Sequence, residues 1–427
     1  MSQASYDRRA VGSWAFYDFA NSAFTTLIVT FVYSTYFTQS IASDPIHGTA
    51  LWSRGVTLSA LVVALTSPLL GALADRGGYR KALLFLSTTV CVGATAALYT
   101  VLPGQVVAAL SWFIVANIAF ETANVFYNAF LPDIAPADKI GRISGFGWGL
   151  GYVGGLLALV LALVGFVQPE VPWFGFSKEG GESIRATCLL VAVWYAVLCL
   201  PIFLWVKEDK SRVSRAGRVL GDSLRQLANT FREIRKYRQI VRFLVARLVY
   251  NDGLITVFSF GGIYAAATFG FTMTEVMVFG IVLNVSAGLG AFVFGFLDDR
   301  FGGKRTIRVT LVGLVFATTL GVFAPDRVWF WVAGVAVGIF VGPNQSASRS
   351  LMARFVPPEA ENEFFGFFAF SGKLTAFAGP MLLGVLTEGF GSQRAGMAGV
   401  LVMFVVGLGL LALVDEREGI RVAGRSD

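Results

Sequence analysis

Twelve long apolar runs dominate this sequence and limit what the chain can fold into. A helix needs about 20 mostly apolar residues to cross a bilayer. Hydrophobic residues make up 55% of the 427 residues, charged residues only 14%, and the mean hydropathy is +0.67. A soluble protein of this length could not cover so much apolar surface. We therefore predict an all-α polytopic membrane protein with twelve transmembrane helices at roughly 14–38, 51–73, 81–101, 106–130, 142–167, 185–206, 239–268, 274–297, 306–323, 328–350, 363–389 and 393–414.

The basic residues are distributed unevenly between the two sides of such a protein. Most of the 34 Lys and Arg residues fall in the loops on the side that holds both chain ends. The positive-inside rule assigns that side to the cytoplasm, so we expect both termini there. The exceptions lie on the other side or inside a span: Arg54, Lys178, Arg185, Arg327, Arg394, Arg247 and Lys373.

Residues suited to metal binding or to histidine-based catalysis are scarce. The three cysteines fall in predicted spans, where they behave as small buried hydrophobes, and the single histidine, His47, falls in an outer loop. The net charge of +7 follows from the loop bias and does not indicate a nucleic-acid partner. We therefore expect no metal, no cofactor and no enzymatic activity.

One motif occurs twice in the chain. The segments GALADRGGYRK (71–81) and GFLDDRFGGKR (295–305) share the pattern G-x-x-x-D-R-x-G and follow the second and eighth spans. Two related six-helix halves are typical of transporters that work by alternating access. We therefore divide the chain into a half at 1–206, a basic cytoplasmic linker at 207–238 and a second half at 239–427.

The repeated motif has a physical role to play at the cytoplasmic side. Glycine lets two helices approach closely, and an aspartate can accept hydrogen bonds from the free amides at the start of a neighbouring helix. We expect Asp75 near the start of helix eleven and Asp299 near the start of helix five. The alternative is that these loops only set the orientation of the chain. The residues predicted to form this cytoplasmic gate are Gly71, Asp75, Arg76, Arg80, Gly295, Asp299, Arg300, Arg142 and Glu363, with Glu361 as a further partner.

The repeated pattern looks like the signature of the major facilitator superfamily. Longer segments narrow this resemblance to the autophagy-related vacuolar effluxer-like branch: WAFYDFANSAFTT (14–26), FYNAFLPDIA (126–135), GWGLGYVGG (147–155), LVYNDGLIT (248–256), NQSASRSLMARFVPP (344–358) and EFFGFFAFSGK (363–373). The resemblance implies the major facilitator fold, a monomer, and a central cavity lined by helices one, four, seven and ten. Fungal members are linked to efflux of leucine and other large neutral amino acids from the vacuole. The lack of long inserted loops resembles the compact bacterial members, which implies a bacterial inner membrane.

Polar residues concentrate on the helices that such a cavity would use. In the stretch NIAFETANVFYNAF (117–130), one glutamate and three asparagines fall within an arc of roughly 60° on helix four. Ionisable residues inside a membrane usually face a bundle interior or a wet cavity. The candidate substrate-binding residues are Asp18, Asn21, Asn117, Asn124, Asn251, Asp252, Asn344, Gln345 and Lys373.

This set suits a zwitterion, whose carboxylate needs a cation and whose ammonium needs a carboxylate or carbonyls. We predict that Lys373 binds the carboxylate and that Asp18 or Asp252 binds the ammonium. Glu121 is the first candidate to carry a proton and Asp252 the second.

Structural alternatives stay open for these polar residues. Glu121 could be a permanent partner of Arg247 or Lys373, and Asp18 could belong to a helix cap or to the gate. The asparagines, including Asn128, could hold helices together. Arg349 and Arg354 could belong to the cytoplasmic helix ends.

The leading hypothesis is a proton-driven secondary transporter in the bilayer for a small polar or zwitterionic metabolite, most simply a neutral amino acid. No nucleotide-binding P-loop pattern is present, so a gradient would drive it. The alternatives are an exporter of amphipathic drugs and a membrane receptor that kept the fold without transport. The linker, amphipathic around 224–240, is predicted to lie on the anionic inner leaflet.

Overall fold

The computed structural model describes residues 7–208, 219–232, 235–376 and 378–424. Within these ranges, twelve helices are long and apolar enough to cross a membrane, as the sequence predicts. Numbered as spans 1 to 12, they are Arg8–Ile41, Ala50–Arg76, Arg80–Thr100, Val106–Ile134, Ala137–Val167, Glu179–Trp205, Arg238–Phe269, Glu275–Phe301, Gly303–Val322, Arg327–Phe355, Pro358–Phe390 and Gln393–Ala412.

Local signals in the sequence explain where several spans begin and end. The Asp326 side chain accepts a hydrogen bond from the amide of Trp329 at 3.0 Å and caps the start of span 10. Thr272 and Glu275 form a capping box at the start of span 8. Gly78 ends the helix of span 2 in the left-handed conformation, at φ 62°, which glycine adopts without strain.

Because an even number of spans lies between them, both described ends of the chain are on one face of the molecule, named here the terminal face. The two six-helix halves meet toward this face along two seams, span 2 against span 11 and span 5 against span 8. Glycines make the close approach possible, because a Cβ at Gly71 would overlap the backbone of Asn362 and one at Gly145 would overlap that of Ala291.

Aromatic side chains fill the core of the first half near the same face. The ring of Trp14 in span 1 stacks on Tyr127 in span 4, with centroids 4.7 Å apart, and its indole nitrogen donates to the Tyr127 carbonyl at 2.9 Å. Tyr17 stacks on the other side of Tyr127 and hydrogen-bonds to Tyr195 in span 6 at 2.7 Å. Spans 1, 4 and 6 are therefore held together as a unit.

Span 11 is not a continuous helix. Its first segment, Glu361–Lys373, ends near the middle of the span, and its second segment is Ala378–Phe390. Residues 374–376 between them are in a turn. A non-helical segment at this depth is tolerated in a membrane protein only where it is buried in protein or lines a cavity. Pro380, in the first turn of the second segment, lacks the amide that would bond to the Ala376 carbonyl, and it therefore favours an interruption here. The apolar pattern alone did not predict the break.

Two further helices lie at the terminal face. The linker helix, Val219–Arg232, starts and ends earlier than the amphipathic stretch predicted at 224–240, and span 7 already begins at Arg238. It packs on the protein, because the Ser223 hydroxyl donates to the carbonyl of Ala72 at 3.4 Å. Residues 209–218 and 233–234 of the predicted linker are outside the described residues.

The second of these helices, the tail helix, is Glu416–Val422 and follows span 12. The Glu416 carboxylate accepts hydrogen bonds from the amides of Gly303 at 2.8 Å and Lys304 at 3.1 Å, at the start of span 9. Each half is thus followed by a helix that packs at the terminal face.

Replacing Gly71 by Ala should disturb the seam between spans 2 and 11. The added methyl group would overlap the Asn362 carbonyl, and overpacking of this kind costs about 1–3 kcal/mol. Thermal unfolding of the purified variant in detergent should therefore begin at a lower temperature than that of the wild type.

Gly93→Ala is the matched control, because a Cβ at Gly93 meets nothing within 4 Å. That substitution should leave the unfolding temperature unchanged or raise it slightly, since Ala favours helix over Gly by up to about 1 kcal/mol. Equal unfolding temperatures for the two variants would show that Gly71 is not a tight contact.

Candidate functional site

The first copy of the repeated motif joins the two halves at the terminal face. Asp75, at the end of span 2, accepts hydrogen bonds from the backbone amides of Asn362 at 3.1 Å and Glu363 at 2.9 Å. These amides belong to the first turn of span 11, where no intrahelical acceptor exists for them and where a negative charge is favoured. The predicted position of Asp75 near the start of helix eleven is confirmed.

The second copy repeats this geometry across the other seam. Asp299, at the end of span 8, accepts from the backbone amides of Gly141 at 2.7 Å and Arg142 at 3.2 Å, and it also pairs with the Arg142 side chain. Gly295 allows the approach, because a Cβ there would lie 2.9 Å from the Cα of Arg142. The predicted position of Asp299 near the start of helix five is also confirmed.

Arg80 adds a buried ion pair to the first seam. Its guanidinium bonds to Asp133 at 2.6 Å within its own half and to Glu361 of the other half at 2.8 Å. A third bond goes to the carbonyl of Ala129 at 3.0 Å. Separation of spans 2 and 11 would leave a buried charge without its partner, which is costly.

Arg76 and Arg300, at equivalent places in the two motifs, differ from each other. Arg76 donates to the side-chain carbonyl of Gln226 in the linker helix, and the Gln226 amide donates to Glu363. Arg76 therefore reaches Glu363 through the linker helix. Arg300 is exposed, with its guanidinium 5.4 Å from the ring centre of Phe301, and the structure does not bring it into the seam.

One further ion pair lies within the second half, beside the second seam, and was not among the predicted gate contacts. Asp298 is buried and bonds to Arg354 at 2.6 Å and to the hydroxyl of Ser350. Arg354 also lies 3.9 Å from Glu416 of the tail helix. The doubled acid in GFLDDR, where the first copy has a single one in GALADR, was the available signal.

Arg349 of span 10 forms the next contact between the halves. Its guanidinium bonds to Asp18 of span 1 at 2.9 Å, to Asn128 of span 4 at 3.3 Å and to the Ser144 hydroxyl of span 5 at 2.9 Å. It also lies 4.7 Å from the ring centre of Trp14. Asp18 is thereby engaged in the contact between halves, which favours the gate interpretation of this residue over an ammonium site.

Glu121 and Lys373 form an ion pair farther from the terminal face. Glu121 lies about 20 Å along span 4 from Ile134, at 1.5 Å per residue. Lys373, the last residue before the break of span 11, donates to the Glu121 carboxylate at 2.7 Å. Their side chains are 28% and 19% exposed, for Lys373 and Glu121 respectively, so the pair is only partly buried.

Arg247 of span 7, the other candidate partner of Glu121, does not bond to it. It donates to the carbonyl of Phe368 at 2.8 Å and to the hydroxyl of Ser371 at 3.0 Å. Its guanidinium lies 3.6 Å from the ring centre of Phe368, a cation–π contact. Of the two partners considered for Glu121, the structure therefore pairs it with Lys373.

Amide side chains surround this pair on both halves. Asn251 of span 7 accepts a hydrogen bond from Gln345 of span 10 at 3.2 Å and donates to the carbonyl of Gly372 at 3.3 Å. In the first half, Asn21 of span 1 donates to Asn124 of span 4 at 3.3 Å. The structure thus pairs four of the predicted binding residues, two between spans 1 and 4 and two between spans 7 and 10.

Two other predicted residues turn toward neighbouring helices instead. Asn117 donates to the hydroxyl of Ser59 in span 2 at 2.6 Å, and Asn344 donates to the hydroxyl of Thr310 in span 9 at 2.9 Å. Both asparagines are buried. Their geometry favours the alternative in which small polar residues hold helices together within one half.

These contacts form two layers with different chemical possibilities. The layer near the terminal face is buried and joins the halves through amide caps and ion pairs. The layer around Glu121 and Lys373 is partly exposed, and this ion pair can be broken by a proton on Glu121 or by a carboxylate that takes its place at Lys373.

Comparison with known proteins adds a family context. The sequence profile described as "Vacuole effluxer Atg22 like" matches residues 46–424. The uncharacterized MFS-type transporter YxiO of Bacillus subtilis is 27% identical over 407 residues, which cover 95% of this chain and 94% of that protein. Autophagy-related protein 22-1 of Neosartorya fischeri is 24% identical over 308 residues, which cover 66% of this chain but only 49% of the fungal protein. The structure of the MFS proton:xylose symporter XylE has the same fold, with a TM-score of 0.76, 13% identity and 98% coverage of both chains.

Arg349→Lys should loosen the seams at the terminal face. A lysine can keep one of the bonds to Asp18, Asn128 and Ser144 but cannot reproduce the planar fork, and each lost buried bond costs about 1–3 kcal/mol. Spin labels at Asp138 and Arg305, both exposed on this face, should report longer and broader distances between the halves than in the wild type.

Arg300→Lys makes the same exchange at an exposed position and serves as the control. Its distance distribution should match that of the wild type. If Arg349→Lys gave that same distribution, Arg349 would have no role in holding the halves together.

Proposed function

This chain belongs to the vacuole effluxer Atg22-like family of major facilitator superfamily transporters, and from that premise we propose that it carries neutral amino acids and couples their movement to protons. The chain is a transporter and not an enzyme. The substrate and the coupling ion are our proposal. The observation that carries it is the partly exposed ion pair between Glu121 and Lys373, one residue from each half.

The pair couples a proton to a carboxylate by competition. While Glu121 is ionised, its carboxylate accepts a hydrogen bond from the ammonium group of Lys373 at 2.7 Å, and Lys373 is not available to the substrate. A proton on Glu121 removes that attraction and frees Lys373 to bind the carboxylate of an amino acid. Proton and substrate are then bound together in the same cavity, which is what a symporter requires.

The ammonium group of the substrate finds oxygen acceptors beside Lys373. The side-chain carbonyls of Asn251 and Gln345 and the main-chain carbonyl of Gly372 lie together there. Asp18 is held by Arg349, and Asp252 is only 2% exposed, so neither predicted carboxylate is open to the substrate. In this arrangement Lys373 balances the charge of the substrate's carboxylate, the proton neutralises Glu121, and amide and carbonyl oxygens accept hydrogen bonds from the ammonium group.

The distribution of basic residues supports an orientation of the protein in the membrane. Because most Lys and Arg residues lie at the terminal face, we place that face in the cytoplasm. The cytoplasmic seams are then closed in the described structure, and in the proposed cycle the substrate reaches the Glu121–Lys373 pair from the opposite side. A compact bacterial member would hold this orientation in the inner membrane.

One observation favours a second candidate function. An apolar cavity of about 430 Å³ lies between spans 2, 7 and 11, lined by side chains that include Leu65, Pro68, Leu244, Leu248 and Phe370. An exporter of amphipathic compounds would use such a cavity. Currents from reconstituted protein on a supported membrane, with amino acids and amphipathic drugs applied under a pH gradient, separate the two: a response to leucine alone favours the first.

Glu121→Gln should abolish transport driven by a pH gradient. Glutamine cannot take up and release a proton, and it leaves Lys373 permanently available to the substrate. Exchange of labelled for unlabelled leucine across proteoliposomes should therefore continue when net proton-driven uptake is lost. Proton-driven uptake at the wild-type rate in this variant would remove Glu121 from the coupling mechanism.

Lys373→Ala should weaken binding of leucine by removing the partner of its carboxylate. Loss of a charged hydrogen bond costs about 1.5–3 kcal/mol, which corresponds to roughly a tenfold to hundredfold higher Kd. Lys178→Ala, in the loop on the side opposite to the terminal face, is the control and should bind leucine as the wild type does. Equal affinity in both variants would rule out Lys373 as the carboxylate anchor.

A further inference from the structure

Asp252 of span 7 is a buried carboxylate whose role the amino-acid site does not explain. It is 2% exposed, and within the described parts of the chain its Oδ1 atom has no hydrogen-bond partner. A buried carboxylate that is left without a donor or a cation carries a large desolvation penalty. The position is therefore suited to an occupant that brings positive charge.

The neighbouring basic side chains are directed elsewhere. Arg247, on the same helix, bonds to Phe368 and Ser371 of span 11. Lys373 bonds to Glu121 in the other half. The charge of Asp252 is thus not balanced by a direct ion pair with either of them.

The break of span 11 lies directly against Asp252. The hydroxyl of Thr375, in the turn between the two segments, interacts with the Asp252 side chain and lies 3.5 Å from the carbonyl oxygen of Leu248. Gly379, early in the second segment, packs so closely that a Cβ there would lie 2.9 Å from the Asp252 carbonyl oxygen. A carboxylate, a hydroxyl and a main-chain carbonyl therefore meet at the point where the helix is interrupted.

We propose that Asp252, Thr375 and the Leu248 carbonyl form a sodium-ion site at the break of span 11. Hard cations prefer oxygen ligands of these three kinds. A single carboxylate balances one positive charge, which favours a monovalent ion over a divalent one. Interrupted helices inside transporters supply such sites, because the end of the first segment directs its partial negative charge and its free carbonyls at the ion.

The site would connect the ion to the amino-acid pocket. Lys373 is the last helical residue before the break, two positions from Thr375. An ion that orders residues 374–376 also fixes the end of the segment that presents Lys373. The inference goes beyond the proposed proton coupling and does not depend on it, because sodium binding can be measured without any amino acid.

Binding of radioactive sodium to the purified full-length protein, measured by scintillation proximity, tests this site. The wild type should bind sodium saturably, with competition by unlabelled NaCl and not by KCl or choline chloride. Asp252→Asn should abolish the signal. Thr375→Val should weaken sodium affinity at least about tenfold, whereas Thr375→Ser, which keeps the hydroxyl, should restore it.

Glu121→Gln separates this inference from the proposed function, because it removes the proton carrier and should leave sodium binding intact. Wild-type protein that is monodisperse yet binds no sodium would overturn the proposal, as would unchanged binding in Asp252→Asn or in Thr375→Val. A third result would also overturn the proposal: the wild type binds no sodium, and Asp252→Asn loses a proton-uptake signal. Asp252 would then carry a proton and not a sodium ion.

Discussion

The free-energy penalty of leaving a charged side chain unpaired inside a bilayer governs how the two halves of this protein meet. Among the described residues, four ion pairs join a residue of the first half to one of the second: Arg80 with Glu361, Arg142 with Asp299, Asp18 with Arg349, and Glu121 with Lys373. Any movement that separates the halves breaks such pairs. The protein can therefore open only when something else satisfies the charges that are released.

The two layers of contacts meet this requirement in different ways. Near the terminal face, aspartates accept hydrogen bonds from amides at the starts of spans 5 and 11, and the released groups can be hydrated or can meet lipid headgroups at the membrane surface. Farther inside, the Glu121–Lys373 pair is away from the membrane surface, so lipid headgroups cannot satisfy its charges when the pair separates. There a proton and a carboxylate can replace the two partners, so the inner layer is where opening can be linked to a cargo.

The repeated motif made the terminal-face contacts predictable from the sequence. Two copies at equivalent places imply two equivalent seams, and an aspartate at a helix end has few chemical roles other than to cap a neighbouring helix. The contacts of Asp75 and Asp299 followed from that argument. The polar face of span 4 likewise indicated that Glu121 faces the interior of the protein. It did not indicate which basic residue forms an ion pair with Glu121.

The remaining contacts could not be predicted because single residues far apart in sequence carry no pattern. Nothing in the stretch around Asp18 indicates Arg349 as its partner, and Gln226 lies in a linker that the sequence only marked as basic and amphipathic. Pro380 marks a site where span 11 can be interrupted, but the apolar pattern does not tell whether the helix breaks there, because prolines are tolerated in transmembrane helices. The break depends on how Gly379 and Thr375 pack against span 7, which is a property of the assembled fold.

The most direct test of this account is the number of protons that the protein takes up when leucine binds. Calorimetric titrations in buffers with different ionisation enthalpies measure that number. Where the Glu121–Lys373 pair is ionised before binding, linkage predicts uptake of about one proton per leucine in the wild type and none in Glu121→Gln. Binding of leucine without proton uptake, or with the same uptake in both proteins, would contradict the claim that a proton on Glu121 releases Lys373 to the substrate.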